Sequence, residues 1–173
     1  RAKVNSYDGA KPLKVQIERA GELKTYEITP TKDETGAWRL GIMVGYKYDF
    51  PVDVKLQLAD VGGPSGGMMF ALGIYDKLTP GALTGGEYIA GTGTINSAGK
   101  VGPIGGIEQK MFGAQNSGAK YFLAPEENCN EVTGHIPTGL KVFKVATFDE
   151  ALNAVSTIGK GADTSALPTC STK

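Results

Sequence analysis

Two glycine-rich stretches organise this sequence: Gly-Pro-Ser-Gly-Gly at residues 63–67, and Gly-Lys-Val-Gly-Pro-Ile-Gly-Gly-Ile-Glu-Gln-Lys at residues 99–110. Each is a turn that meets a segment of helical length, which predicts two loop-to-helix junctions. Apolar runs of strand length lie between and after them, at about 88–95, 121–123 and 141–146. Because strands and helices alternate along the chain, the sequence predicts an α/β or α+β fold with mixed sheets and packed helices.

A β-hairpin is predicted ahead of this region. Apolar and polar residues alternate on both sides of Ala20-Gly21, which indicates two strands within about 13–28, and Pro30 ends them. Residues 31–36 are polar and are expected to form a connector. The remaining predicted elements are strands at about 37–46, 52–58 and 101–104, and helices at about 65–78, 107–117 and 148–158, the last begun by the capping-box pair Thr147 and Glu150.

Composition and charge narrow the classes of function. The 173 residues include 18 Lys+Arg and 18 Asp+Glu, so the net charge is zero, which argues against a nucleic-acid binder or a polybasic membrane-surface protein. No apolar stretch approaches the ~20 residues of a membrane-spanning helix. With one His, two Cys and no Cys-x-x-Cys pattern, the sequence predicts neither a metal site nor a cofactor. The chain begins at Arg1 rather than Met, so we expect it to be a piece of a longer protein.

Cys129 and Cys170 lie in polar, loop-like surroundings. Two exposed free thiols would be a liability, whereas a disulfide that closes a loop of about 40 residues contributes roughly 4 kcal/mol on the chain-entropy account. We therefore favour a disulfide over two free thiols. Such a bond would place the protein in an oxidising compartment and would tie down a Gly/Ser/Thr-rich tail that is otherwise expected to be weakly ordered.

Ser65 lies between glycines at the first junction, and three interpretations of it are open. It can cap the helix, since serine is a favoured N-cap residue. It can be a nucleophile, because the neighbouring glycines leave its Oγ unshielded and the N–H groups of a helix start attract negative charge. A phosphate cradle is disfavoured, because the Gly-Lys-Ser/Thr ending of a P-loop is missing.

A nucleophilic serine needs a base, and the choice falls between His135 and Lys110. His135, the single histidine, lies in the loop-like sequence Thr-Gly-His-Ile-Pro, which is typical of a surface position. Lys110 shares one helix face with Ile107, Met111 and Ala114. It is either a lysine that snorkels at the edge of an apolar stripe or a desolvated lysine with a neutral amine. Burial beside apolar groups can produce the neutral form at neutral pH, whereas exposure cannot.

The two stretches together resemble the proteolytic domain of Lon. Its serine lies in a Pro-Ser-Ala/Gly-Gly motif, matched here by Pro64–Gly67, and its lysine closes a Pro-Ile-Gly-Gly-Leu/Ile-x-x-Lys motif, matched by Pro103–Lys110. Thr92 lies between them in the family's order, and the similarity covers about 38–158. The tight loop at 59–63 and the Ala-Gly-Thr-Gly-Thr-Ile sequence around Thr92 are more similar to the membrane-anchored PDZ–Lon-type proteases of Gram-positive bacteria.

This resemblance implies a serine endopeptidase with a Ser/Lys dyad. Ser65 would attack the peptide carbonyl, and Lys110 would take the Ser65 proton and return it to the leaving amine. Thr92 corresponds to a family threonine whose hydroxyl bonds the lysine. The alternative for Thr92 is an ordinary strand threonine.

The resemblance also implies how a substrate is held. Backbone N–H groups in the turn of Gly63, Pro64 and Gly66 would bind the oxyanion. A substrate would add as an extended strand to an edge, for which Gly41–Gly45 is the candidate. The expected substrates are flexible or unfolded polypeptides. Because the sequence contains no Walker motif, we expect proteolysis to be independent of ATP.

Finally, the resemblance divides the chain into a remnant of a PDZ-like domain at 1–30, a Lon-type protease domain at 31–160 and a tail at 161–173. The parent protein is expected to be membrane-anchored and extracytoplasmic, and the family's hexameric rings imply a homo-oligomer. The competing class is a non-catalytic or latent peptide-binding module built on the same fold. The presence of both Ser65 and Lys110 argues against that class.

Overall fold

The computed structural model describes residues 2–43, 45, 51–55 and 63–170. The chain divides into two compact units, Arg1–Asp53 and Val54–Lys173. None of the helices in the described part of the chain has the length and apolar character needed to span a bilayer. The predicted division after residue 30 and the PDZ-like identity of residues 1–30 stay predictions.

The first unit begins with helix α1, Ala2–Asn5, followed by the predicted hairpin. Strand β1, Leu13–Arg19, runs antiparallel to strand β2, Glu22–Ile28. The turn between them places Ala20 and Gly21 at positive φ angles of 54° and 80°. Only glycine adopts this conformation freely, so Gly21 suits the turn. The alternation along the sequence therefore predicted this hairpin correctly.

The polar segment after the hairpin is more than the predicted connector. Strand β3, Thr31–Lys32, pairs antiparallel with strand β4, Trp38–Arg39. The Asp33 carboxylate closes the turn between them, because it accepts hydrogen bonds from the Thr35 hydroxyl at 2.6 Å and from Arg39 Nε at 2.7 Å. These two bonds hold the pKa of Asp33 well below its ordinary value. The segment is thus a second, smaller hairpin.

The two strands predicted next are confirmed only at Trp38–Arg39 among the residues that the structure describes. Of the strand predicted at about 37–46, only Trp38–Arg39 is a strand, and residues 40–43 are not. Residues 51–55 are also not in a strand, although one was predicted at about 52–58. Residues 44, 46–50 and 56–58 lie outside the described residues.

A parallel three-stranded sheet organises the second unit. Its order is β5-β8-β9, formed by Ile89–Gly91, Tyr121–Pro125 and Lys141–Val145. A separate antiparallel pair joins β6, Thr94–Ile95, to β7, Val101–Gly102. The single strand predicted over the first part of this region is therefore two strands, β5 and β6. The mixed α/β class predicted from the sequence is confirmed.

Helices cover this sheet. The α-helices described in the second unit are α2, Gly67–Leu78; α3, Ile107–Asn116; α4, Cys129–Val132; and α5, Phe148–Gly159. Helix α4 was not predicted, because four residues carry no measurable period. At the start of α5, the Thr147 hydroxyl accepts a hydrogen bond from the Glu150 N–H at 3.2 Å, which confirms the predicted cap.

Alternate residues of the sheet enter two different apolar cores, as strand geometry requires. Leu123 and Phe143 belong to the core that α2 and α5 complete. Phe122 and Val142 belong to the core that α3 and α4 complete. The buried helix residues of these two cores include Met68, Leu72, Val155 and Ile158 in the first, and Ile107, Met111 and Val132 in the second.

The tail after α5 is held against the second unit. Leu167 is buried, and the Pro168 carbonyl accepts a hydrogen bond from the Lys144 N–H of β9 at 2.9 Å. Cys170 is bonded to Cys129 at the start of α4, so the structure contains the disulfide that the sequence favours. The tail is therefore tied down through residue 170.

Candidate active site

Ser65 lies in a short 3₁₀ turn, Pro64–Gly66, at the entrance to α2. Gly63 precedes this turn at a φ of 85°, a left-handed conformation that glycine adopts without strain. Gly63 and Gly66 occupy the N-cap positions of the turn and of α2, and neither has a side-chain cap. The capping interpretation of Ser65 is therefore wrong, and Ser65 is a half-buried residue that caps neither helix.

Two hydrogen bonds anchor the backbone of Ser65 to the sheet. Its carbonyl accepts one bond from the Gly93 N–H at 2.7 Å and another from the Thr92 hydroxyl at 2.9 Å. Thr92 is buried, and its own N–H donates to the Leu123 carbonyl of the central strand at 3.1 Å. The Thr92 hydroxyl thus has Ser65 as its partner, where the sequence led us to expect Lys110. Thr92 fixes the position of the serine.

Lys110 reaches Ser65 from the opposite junction. Helix α3 is held in its core by Ile107 and Met111, both of which are fully buried. The next residue toward the edge of that face is Lys110, and its Nζ lies 3.4 Å from Ser65 Oγ. Residues that are 45 positions apart in the sequence therefore meet at hydrogen-bond distance.

Lys110 is not buried, although the functional interpretation of the sequence required burial. The sequence argument required burial of this lysine, but Lys110 is exposed, while Met111 takes the inward position. This one chain therefore does not bury Lys110 as the sequence argument required. His135 lies on the surface as predicted, with Nδ1 3.1 Å from the Glu131 carbonyl oxygen, and Ser65 has no part in that contact.

A cavity of about 310 Å³ lies beside the two side chains. Ser65 and Lys110 stand on its wall together with Gly66 and Thr92. The other lining residues are Tyr88, Ala90, Gly91, Gly113, Ala114, Ser117 and Phe122. Apart from Lys110, none of these residues carries a charge. The cavity therefore suits an uncharged, largely apolar group.

Sequence reasoning missed the other lining residues of this cavity, although part of the signal was present. Gly113 and Ser117 follow Lys110 by three and seven positions, which places them on its helix face. Tyr88 and Phe122 have no such signal. Tyr88 immediately precedes β5 and Phe122 lies in β8, and no local pattern reveals that these two strands pair in parallel.

The other predicted site residues are the glycines and the proline around Ser65 and the candidate substrate strand. Gly66 lines the cavity beside Ser65, and Gly63 and Pro64 form the turn before it. Pro64 has no N–H to donate, so the predicted oxyanion donors in this turn reduce to its neighbours. In the candidate substrate strand Gly41–Gly45, residues 41–43 and 45 are not in a strand, and residue 44 lies outside the described residues.

Comparison with known families identifies a match over the same part of the chain. The model of the Lon protease (S16) C-terminal proteolytic domain matches residues 53–157, which include both glycine-rich stretches and the whole cavity. More than half of the chain is covered by this match.

Individual relatives agree with the family match. A Lon protease of Lachnoclostridium phytofermentans is 34% identical over 109 residues, which are 61% of this chain and 13% of that protein. Lon protease 2 of Bacillus subtilis is 35% identical over 95 residues, 55% of this chain and 17% of that protein. The chain therefore spans less than a fifth of the length of these relatives.

Proposed function

This chain belongs to the family of the Lon protease (S16) C-terminal proteolytic domain, and we propose that it is a serine endopeptidase with a Ser65/Lys110 dyad. The observation that carries the proposal is the 3.4 Å separation between Lys110 Nζ and Ser65 Oγ. A nucleophile and a base within such reach of each other are the signature of an activated serine. The anchored Ser65 carbonyl supports it further, because it keeps the nucleophile in place.

The proposed reaction has two halves. In the first, neutral Lys110 takes the Ser65 proton while Oγ attacks the peptide carbonyl, and backbone N–H groups at the start of the 3₁₀ turn stabilise the oxyanion. The protonated lysine then gives its proton to the leaving amine, which departs and leaves an acyl-enzyme on Ser65. In the second half, neutral Lys110 takes a proton from the attacking water, the acyl–Oγ bond breaks to release the carboxylic acid, and Lys110 returns the proton to Oγ, which regenerates Ser65.

The neutral lysine requires a change in its surroundings on substrate binding. Lys110 is exposed in the single chain, so its surroundings there are aqueous rather than apolar. A peptide seated in the neighbouring cavity of about 310 Å³ would displace that water and favour the neutral amine. Activity would then depend on how well the substrate fills the cavity, and uncharged apolar side chains would fit it best.

Finer features of the enzyme belong to the same proposal. We infer polypeptide substrates in flexible or unfolded segments, and hydrolysis without ATP, as the resemblance to the PDZ–Lon-type proteases implies. The Cys129–Cys170 disulfide supports an oxidising, extracytoplasmic location. A membrane-anchored parent of the PDZ–Lon type and a hexameric ring are part of this proposal and rest on the resemblance alone.

A second candidate function is a latent form of the same enzyme. The exposure of Lys110 favours it, because a lysine in water is a poor base at neutral pH. In this form the chain binds peptides but cleaves them only once a neighbouring chain covers the site.

Incubation with casein, with and without ATP, tests the proposal. We expect cleavage at equal rates in both conditions, and labelling of Ser65 by a fluorophosphonate probe that mass spectrometry locates. Cleavage that appears only at high protein concentration would favour the latent form. The proposal is wrong if wild-type protein and Ser65→Ala give the same products, or if another serine takes the label.

A further inference from the structure

A buried amide lies behind the loop that leads to Lys110. Asn128 is only 2% exposed and stands 24 positions from Ile104 in the sequence. Its Oδ1 accepts a hydrogen bond from the Ile104 N–H at 3.0 Å, and its Nδ2 donates to the Ile104 carbonyl at 2.9 Å. The second Nδ2 hydrogen goes to Glu131 Oε1 at 2.8 Å. The side-chain amide thus pairs with one residue's backbone as a neighbouring strand would.

This pair of bonds lies close to the base of the proposed dyad. Ile104 comes two residues before Gly106, whose carbonyl accepts the N–H of Lys110 at 3.2 Å. Gly106 is the N-cap of α3 at a φ of 69°, and no side chain caps the helix there. The loop that Asn128 fixes therefore leads directly into the first turn of α3, which carries Lys110.

The apolar core alone does not explain the position of Lys110. Ile107 and Met111 bury one side of α3 against Val132 of α4, but such contacts are not directional. Hydrogen bonds to both polar groups of Ile104 are directional, so they define where the loop ends and the helix begins. Asn128 is itself fixed, because the disulfide of Cys129 with Cys170 immediately follows it.

We propose that Asn128 is a positioning residue for Lys110: its amide holds the loop before α3 and so keeps the lysine at hydrogen-bond distance from Ser65. The expected effect on kcat rests on the proposed function, whereas the expected effect on the loop and on the position of Lys110 rests on geometry alone. A displacement of about 1 Å at a reacting group can cost a factor of about 100 in rate. Asn128 touches neither Ser65 nor the cavity in its hydrogen bonds, so it acts through the loop.

Two substitutions test the proposal on the full chain. Asn128→Asp keeps the size and the acceptor but removes both donors, and Asn128→Ala removes the pair altogether. We expect kcat on a fluorogenic peptide with an apolar side chain before the scissile bond to fall at least about tenfold, with KM changed by no more than about twofold. The acid limb of the pH–rate profile should also move, because the 3.4 Å contact in which Lys110 Nζ donates to Ser65 Oγ would be lost.

Two matched variants control for unrelated effects. Glu131→Gln keeps an acceptor for the Asn128 amide and should leave kcat and the pH profile unchanged. Val155→Ala destabilises the other apolar core and should lower the melting temperature without moving the pH profile. If Val155→Ala shifts the profile as the Asn128 variants do, the positioning role is wrong, because the shift then follows stability alone.

Amide hydrogen exchange keeps the inference separate from the proposed reaction. In the wild-type protein, the amides of Ile104 and Lys110 should open together, and both should exchange faster in Asn128→Asp. If Ile104 exchanges freely while Lys110 stays protected, the inference is overturned, and this measurement stands even if the Asn128 variants fail to fold. If wild-type protein and Lys110→Ala are equally active, the dyad is wrong. A crystal structure of Asn128→Asp then tests the positioning role through the distance between Lys110 Nζ and Ser65 Oγ. If that distance stays at about 3.4 Å, the positioning role is overturned.

Discussion

The two compact units of this chain are stabilised in different ways. Among the described residues of the first unit, only Tyr7 and Pro30 are buried, and its two hairpins rely on turns and cross-strand pairs. The second unit has a sheet with an apolar core on each face and a disulfide. The proposed chemistry lies wholly in the second unit. Ser65 and Lys110 thus belong to the unit whose sheet has a buried apolar core on each face.

The contrast extends to electrostatics. In the first unit, Asp33 ties its turn through exposed hydrogen bonds to Thr35 and Arg39. In the second unit, buried polar side chains such as Thr92 and Asn128 hold backbone groups of residues far away in sequence. Exposed polar contacts fix local geometry at small energy, whereas buried ones connect distant segments. If this contrast holds, substitutions in the second unit should affect activity and stability more than substitutions in the first unit.

The largest effect is expected at the dyad. Ser65→Ala, Lys110→Ala and Lys110→Arg should each lower peptide hydrolysis by about 100-fold or more, since general-base catalysis alone contributes that much and arginine cannot lose its proton. Circular dichroism should show an intact fold in all three. Asp33→Asn in the first unit is the control and should keep near wild-type activity. A dyad variant with full activity would contradict the assignment.

The next effect concerns the disulfide of the second unit. The Cys129→Ala, Cys170→Ala double variant should lose about 4 kcal/mol of unfolding free energy, because the bond closes a loop with a sequence separation of 41. Urea unfolding followed by circular dichroism measures this loss. Fluorescence of Trp38, the single tryptophan, reports on the first unit and should change little. Two titratable thiols in oxidised, denatured wild-type protein would refute the bond.

A smaller effect is expected when the cavity is filled. Gly113 has open space where a Cβ would be placed, so Gly113→Leu should fold and should project into the cavity beside Ser65. We expect kcat/KM for peptides with large apolar side chains to fall about tenfold, and less for alanine-containing peptides. Gly73→Leu is the matched control, because Gly73 is also a helical glycine with open space. Equal losses in both variants would remove the cavity from substrate binding.

Limited proteolysis tests the division into units directly. Because the compact units divide at residues 53 and 54, we expect the first cut between residues 40 and 55 rather than in the Asp33 turn. The larger product should contain Ser65 and Lys110 and keep its helical circular dichroism. Should that product unfold on removal of the first unit, the two units would be one cooperative structure.

The smallest effect is expected from acid. Hydrogen bonds from Thr35 and Arg39 lower the pKa of folded Asp33 below its unfolded value. The stabilisation is therefore present above the unfolded pKa of about 3.9 and is lost as the pH falls further, toward the folded value. Trp38 fluorescence followed from pH 6 to pH 2 should show a transition in wild type that Asp33→Asn lacks, because asparagine does not titrate in this range. An identical titration would show that Asp33 does not hold the second hairpin.

Several features could be predicted from local sequence because they depend on neighbours along the chain. The alternation around Ala20-Gly21 predicted the first hairpin, and the Thr147–Glu150 pair predicted the cap of α5. The segment after the hairpin was misread, because polar composition alone does not reveal that Asp33 organises a turn between two short strands. Helix α4 was missed because it is too short to show a period.

The sequence by itself determined that Ser65 and Lys110 each follow a glycine-rich turn at a helix start, since turn chemistry and helical period are local properties. Only the tertiary structure decided what these residues touch. Thr92 bonds the Ser65 carbonyl rather than the lysine, Lys110 is exposed rather than buried, and Asn128 holds the loop at Ile104. These contacts join residues 24 to 45 positions apart, and their geometry follows from the parallel sheet and its two cores. The packing of distant segments positions these residues, and no local sequence pattern encodes that packing.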